Sequence, residues 1–155
     1  MKHHKKYIMT FLLFFGLCFL FGNSAMALNP ITVFLNNKTL TFDVDPTIEN
    51  GTTLVPMRKI FESLGADVIY DGNTQTVKAI QDGNEIILVI GSKFPMVNGE
   101  KKEIDVPAKI IFGRTLVPLR FVSEALGARV NWDNKNRTIT IDSSEKTGFN
   151  VISIY

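Results

Sequence analysis

Cysteine and histidine are almost absent from this 155-residue chain, and the few that occur lie near its N-terminus. The single cysteine is Cys18, and the two histidines are His3 and His4. Beyond residue 27 the chain therefore forms no disulfide bond and offers no thiol nucleophile. It also lacks the imidazole ligands that copper(II) favours in proteins.

The N-terminal segment has the pattern of a signal peptide. Basic residues precede an apolar stretch over residues 8–21, and the segment ends in a small-x-small pattern at Ala25 and Ala27. The stretch is short for a membrane span, and an uncleaved anchor is the alternative. We predict a signal peptide over residues 1–27 and a mature domain over residues 28–155, secreted, extracellular or cell-wall associated. After cleavage we expect no membrane contact.

Cleavage also changes the charge balance. The whole chain has 17 basic and 15 acidic side chains, and the loss of Lys2, Lys5 and Lys6 leaves 14 basic ones. The mature chain is therefore slightly acidic, and no basic cluster larger than the pair Lys101 and Lys102 remains. Because non-specific nucleic-acid binding depends on clustered cations, we expect no nucleic-acid partner.

The chain repeats itself at an offset of 62 residues. The string GTTLVPMRKIFESLGA at residues 51–66 returns as GRTLVPLRFVSEALGA at residues 113–128. An internal repeat constrains the architecture more strongly than any single element. Two units, about residues 31–92 and 93–155, account for the mature chain, which is long enough for one domain without disulfides.

Each unit has the pattern of strand pairs around one short helix. Asn-Gly at residues 98–99 predicts a hairpin turn, and Pro56 and Pro118 suit the first turn of a helix. Apolar residues then recur at helical spacing, followed by a glycine suited to the left-handed end of a helix. The two sets are Met57, Ile60, Phe61, Leu64 and Gly65, then Leu119, Val122, Leu126 and Gly127.

Strands with apolar residues at every second position follow each helix. The run over residues 85–90 is largely apolar, which predicts a central strand covered on both faces. A strand over residues 149–154 is expected at the corresponding place in the second unit. We predict an α+β fold of two β-β-α-β-β repeats, each a twisted antiparallel sheet packed around one short helix, forming one compact body.

The repeated motif resembles the copper amine oxidase N-terminal-like domain, also called the stalk domain. The resemblance implies a sheet wrapped around a helix, an origin in exported proteins of Gram-positive bacteria, and an accessory or spacer role without an established activity. It implies no copper chemistry, because catalysis by amine oxidases uses three histidines and a tyrosine in an Asn-Tyr-Asp/Glu context. Tyr70 is preceded by Ile69 instead.

Four charged residues on the predicted helices are candidate site residues. Arg58 and Glu62 stand four positions apart, as do Arg120 and Glu124. We interpret them as structural pairs that the repeat retains in both copies. The functional alternative is that Glu62 and Glu124 act as acid and base on a polysaccharide, as paired carboxylates do in glycosidases.

Two aromatic residues are the other candidates. Tyr70 and Trp132 occupy corresponding strand positions, where the alternation of apolar residues favours the core. If they were exposed, they could stack on a sugar ring or a peptide. Asp71 and Asp133 follow them, and we interpret both as turn-forming residues rather than calcium ligands.

These observations predict a non-enzymatic, stalk-like module that binds a partner at the bacterial cell surface or acts as a spacer there. We expect no catalytic residue, no metal and no cofactor. The partner would be a cell-wall component or a secreted or surface protein. The alternatives are a small cell-wall polysaccharide hydrolase that uses Glu62 and Glu124, and a secreted protein-binding or inhibitor module.

Overall fold

A computed structural model describes residues 29–143. The predicted signal peptide and the predicted strand over residues 149–154 lie outside these residues. The elements are, in chain order, β1 (Thr32–Leu35), β2 (Lys38–Leu40), β3 (Thr47–Glu49), β4 (Thr52–Pro56), α1 (Met57–Ser63), β5 (Asp67–Asp71), β6 (Thr76–Gln81), β7 (Asn84–Val89), β8 (Met96–Val97), β9 (Glu100–Lys101), β10 (Lys109–Ile111), β11 (Arg114–Pro118), α2 (Leu119–Ala125), β12 (Arg129–Asp133) and β13 (Thr138–Asp142).

The regular elements of the described residues are mostly β-strands, with two short helices, which confirms the α+β class. They form three sheets, with strand orders β12-β13-β1-β2, β10-β11-β4-β3 and β5-β6-β7-β8-β9. Neither helix is long or apolar enough to cross a membrane.

The sequence pattern predicted one antiparallel sheet for each half of the chain. This prediction was wrong, because strands of the two halves pair with each other. The strands β4 and β11 pair in one sheet, with Val55 opposite Val117. The strands β1 and β13 pair in parallel, with Val33 beside Ile139. Both pairings join residues far apart in the chain, so no local pattern of apolar residues reveals them.

The elements from β3 to β6 recur in the same order from β10 to β13. The strand β3 begins at Thr47 and β10 at Lys109, whereas α1 begins at Met57 and α2 at Leu119. Each pair of starting residues is 62 positions apart. We call two residues separated by 62 positions equivalent.

The ends of both helices follow from backbone conformation. Gly65 and Gly127 have φ of +81° and +83° and come directly after the last helical turn, as the left-handed end of a helix requires. Pro56 and Pro118 are the last residues of strands and immediately precede the helices. The prediction that they lie in the first helical turn was therefore wrong by one residue.

One hydrophobic core joins the two halves of the described chain. Ile60, Phe61 and Val122 on the helices are fully buried together with Val55 and Val117 at the centre of the shared sheet. The helix α1 packs against β11, and α2 packs against β4, so each helix covers the strand of the other half. Because each helix packs on the other half, residues of both halves meet at the surface beside the helices.

The strand β7 differs from its prediction. Ile86 and Leu88 are buried, but Ile87 is only half-buried and Val89 is 42% exposed. The strand is central in its sheet, between β6 and β8. An antiparallel sheet commonly covers the core with one face and leaves the other face in water. The strand is therefore central in its sheet, as predicted, but the prediction that both of its faces are covered was wrong.

Candidate functional site: two aromatic clefts between the halves

Two surface clefts lie where a hairpin of one half meets the helix and strand of the other half. The Trp132 cleft lies between the β3–β4 hairpin and residues of α2 and β12, and its volume is about 350 Å³. The Tyr70 cleft lies between the β10–β11 hairpin and residues of α1 and β5, and its volume is about 530 Å³. Their linings include equivalent pairs: Gly51 and Gly113, Thr53 and Thr115, Leu119 and Met57, Arg120 and Arg58, and Trp132 and Tyr70.

The local sequence explains how each cleft is built. The β3–β4 hairpin turns at Asn50 and Gly51, with φ of +47° and +78°, and its short loop places Thr52 and Thr53 beside the helix that follows β11. The strand β12 runs antiparallel to β13, with Trp132 opposite Ile139. Backbone hydrogen bonds hold each of these elements in its own sheet, β3 at the edge of one sheet and β12 at the edge of another.

Trp132 and Tyr70 are cleft residues rather than fully buried core residues. Trp132 is half-buried, packs against the core cluster and lines its cleft. Tyr70 is 39% exposed, so the expectation that it belongs to the core was wrong. Burial decreases along the inward-facing positions from Ala66 through β5. Ala66 is buried, Val68 is half-buried and Tyr70 lies at the surface.

The Trp132 cleft carries two guanidinium groups. Arg120 and Arg137 line it, and no carboxylate belongs to its lining within residues 29–143. Arg120 Nη1 donates to the backbone oxygen of Val130 at 3.2 Å and lies 3.4 Å from Glu124 Oε1. Arg137 Nε donates to the backbone oxygen of Asn29 at 2.7 Å. A guanidinium has five N–H donors, so these bonds orient both groups and leave donors for a ligand.

The Tyr70 cleft carries charges of both signs. Arg58 and Glu62 approach to 3.9 Å with largely exposed side chains, and Arg114 pairs with Asp43. The hydrogen bond from Arg114 holds the pKa of the Asp43 carboxyl below its ordinary value. Two carboxylates, Glu62 and Asp43, belong to the lining of this cleft, whereas the glutamate paired with Arg120 lies outside the described lining of the Trp132 cleft. An anion in the Tyr70 cleft would therefore meet two negative charges that the Trp132 cleft does not present.

Neither of the two clefts brings Glu62 and Glu124 together. Glu62 lines the Tyr70 cleft, and Glu124 lines neither of the two clefts. Their side chains are 56% and 51% exposed, and each is paired with the arginine of its own helix. Glycosidase carboxylates face each other across one bond of the substrate. Exposed ion pairs of this kind contribute about 0–1 kcal/mol to stability.

Asp71 and Asp133 form turns. The backbone N–H of Asn73 donates to Asp71 Oδ1 at 2.8 Å, and that of Lys135 donates to Asp133 Oδ1 at 2.9 Å. These bonds help to keep the pKa of both carboxyls below the ordinary value, the bond from the Asn136 side chain being the largest cause at Asp133. Within residues 29–143 no group of three or more His, Cys, Asp or Glu side chains is placed to hold a metal ion.

Sequence patterns did not indicate Thr52, Asn134 or Arg137 as site residues. Each belongs to an ordinary turn or strand end, and none forms a motif with its chain neighbours. They meet only because the β3–β4 hairpin of one half packs beside the second half. The offset of 62 provides the one available signal, since Asn134 and Arg137 stand where the first half has Gly72 and Gln75.

Comparisons with known proteins identify a family. Residues 34–141 match the copper amine oxidase N-terminal domain. The chain is also similar to a primary amine oxidase of Klebsiella aerogenes, with 31% identity over 81 residues. The matched region is 51% of this chain and 11% of the amine oxidase, so the chain spans about a tenth of the length of that relative.

Proposed function

This chain belongs to the copper amine oxidase N-terminal domain family, and from that premise we propose that it is a non-catalytic, stalk-like module that binds at the bacterial cell surface. In this proposal the chain is exported by a cleavable segment over residues 1–27. Its partner is a component of the cell wall.

Two copies of one β-β-α-β-β unit, about residues 31–92 and 93–155, would make up the module. The equal spacing of the elements supports this assignment, as does the pairing of β4 with β11, which places Val55 opposite its equivalent residue Val117. Two related units that share a sheet form a stiff body, which suits a spacer as well as a binding module.

The observation that carries the proposal is the Trp132 cleft. It is open to solvent and combines an aromatic ring with two arginines, and no carboxylate belongs to its described lining. An aromatic ring offers an apolar surface to a ligand, and arginine offers a planar array of hydrogen-bond donors. The exposed and separate positions of Glu62 and Glu124 favour binding over hydrolysis.

The proposal is tested by expressing the full-length chain in a Gram-positive host. We expect the protein in the culture fluid or the wall fraction, with an N-terminus that begins at residue 28. The processed protein is then mixed with isolated cell walls and sedimented over a salt series. Co-sedimentation at physiological salt is expected, and a protein that stays in the supernatant would contradict the proposed surface function.

A protease-treated wall preparation separates the two kinds of partner. If the partner is a wall polymer, binding persists after the wall proteins have been digested and washed away. Loss of binding would instead indicate a surface protein as the partner. The protein should release no soluble sugar from the walls, since the proposal includes no catalysis.

A further inference from the structure

We propose that the Trp132 cleft binds an anionic sugar, meaning a pyranose ring that bears a carboxylate or a phosphate. This inference rests on the proposed function, because it names the ligand class of the same surface. The Tyr70 cleft does not take this ligand and serves as the internal comparison.

The size of the cleft fits a small ligand. Its volume of about 350 Å³ lies at the lower end of the range of roughly 300–1,000 Å³ for small-molecule sites. One or two sugar rings occupy such a space, whereas a folded protein partner would need a much larger surface.

The walls of the cleft offer an apolar surface on which a ring can rest. Trp132 supplies an aromatic ring, and Ile48, which is 40% exposed, adds aliphatic surface from the opposite half. Leu119 of α2 also lines the cleft but is buried. A pyranose presents C–H groups on its faces and hydroxyl groups around its rim. The apolar surface therefore suits the faces of the sugar.

Polar groups surround this apolar surface. The hydroxyl groups of Thr52 and Thr53 and the amide of Asn134 both donate and accept hydrogen bonds, as the hydroxyl groups of a sugar require. Arg120 and Arg137 add two cations. A guanidinium binds carboxylate or phosphate through two parallel hydrogen bonds, so the pair selects a sugar that carries a negative charge.

The comparison of the two halves indicates that the fold does not require this chemistry. Arg137 and its equivalent Gln75 have φ of +50° and +52°, so the same left-handed backbone position accepts glutamine. Trp132 stands where Tyr70 stands, and Asn134 stands where Gly72 stands. Three residues of the Trp132 cleft therefore differ from their equivalents, and two of them, Asn134 and Arg137, add an amide and a cation where the first half has glycine and glutamine.

Arg137 also has a structural contact, because its Nε donates to the backbone oxygen of Asn29. A purely structural arginine would hold the segment before β1 and would have no effect on ligand affinity. The two roles are separated by measuring ligand affinity and thermal stability of the same variant.

The test uses intrinsic fluorescence, because Trp132 is the single tryptophan of the chain and reports on this cleft. The processed protein is titrated with glucuronic acid, glucose 6-phosphate and glucose, which share one ring and differ in charge. We expect a saturable change in emission with at least one of the anionic sugars and none with glucose. The arm that responds distinguishes carboxylate from phosphate. An equal response to all three sugars, or no response to any, would overturn the proposal.

Two variants and one matched control complete the test. Arg137→Gln introduces the side chain found at the equivalent position, and Arg120→Gln removes the other cation. Each should weaken binding of the anionic sugar roughly tenfold or more, as expected for loss of a charged hydrogen bond. Arg58→Gln, at the position equivalent to Arg120, should leave the affinity unchanged. The proposal is wrong if both cleft variants bind as the wild type does while keeping its melting temperature.

The two proposals can fail separately. A protein that binds the sugar but does not sediment with walls would overturn the surface function and keep the cleft assignment. A protein that sediments with walls but shows no sugar response would overturn the cleft assignment and keep the surface function.

Discussion

Replacing Ser123 with alanine should stabilise the protein. Ser123 lies on α2 with 0% of its surface exposed, and its Oγ has no hydrogen-bond partner among the described residues. A buried hydroxyl without a partner costs about 1–3 kcal/mol. Its equivalent position holds Phe61, the largest fully buried side chain, so this site is an apolar environment in both halves.

The magnitude follows from three terms. Ser123→Ala removes the unpartnered hydroxyl, and alanine also favours the helix by about 0.5 kcal/mol relative to serine. The small void left by the oxygen offsets part of this gain. We expect the free energy of unfolding to rise by about 1 kcal/mol, which corresponds to an increase in melting temperature of roughly 3–5 °C for a domain of this size.

The assay is urea unfolding followed by circular dichroism, with Ser63→Ala as the matched control. Ser63 is half-buried on α1, and its equivalent residue is Ala125. The control gains only helix propensity, a few tenths of a kcal/mol, so the difference between the two variants isolates the buried hydroxyl. A Ser123→Ala protein that is less stable than the wild type would refute the reasoning and indicate a hydrogen bond to the Ser123 hydroxyl.

Three further variants test other parts of the account by equilibrium unfolding. Phe61→Ala should lower the free energy of unfolding by about 3–5 kcal/mol because it empties a fully buried site, and a loss below about 1 kcal/mol would contradict that packing. Phe112 is 89% exposed in the β10–β11 turn, with φ of +48°, and its equivalent residue is Asn50. Because asparagine tolerates the left-handed conformation better than phenylalanine, Phe112→Asn should raise the free energy of unfolding by about 1 kcal/mol. A decrease would show that the ring has a stabilising contact. Because Arg114 lowers the pKa of Asp43 in the folded state, this pair stabilises the protein above about pH 4 and loses its effect as the pH falls further. Asp43→Asn should therefore lower stability at neutral pH and reduce its decline in acid, and an unchanged acid profile would contradict this role.

Local sequence signals predicted much of the secondary structure. The apolar stripe Met57, Ile60 and Phe61 is buried on a helix, and Gly65 ends that helix in the left-handed conformation. The turn at Asn98 and Gly99 also lies where it was predicted. These features depend on residues within a few positions of one another, so the chain itself carries the information.

Features that join distant parts of the chain could not be predicted in this way. The pairing of β1 with β13 and of β4 with β11 depends on tertiary packing. The same holds for the cleft in which Thr52 of one half lies near Trp132 of the other. Burial of Tyr70 was predicted wrongly because alternation shows which residues share a face of the strand, but not where the covering elements end.

The most direct test of the central claim is the affinity of three proteins for isolated cell walls: the wild type, Arg137→Gln and Arg58→Gln. If the Trp132 cleft holds an anionic wall sugar, Arg137→Gln should bind walls roughly tenfold more weakly or worse, and Arg58→Gln should bind as the wild type does. Equal wall affinities for all three proteins, with unchanged melting temperatures, would contradict the account and place the binding surface elsewhere on the molecule.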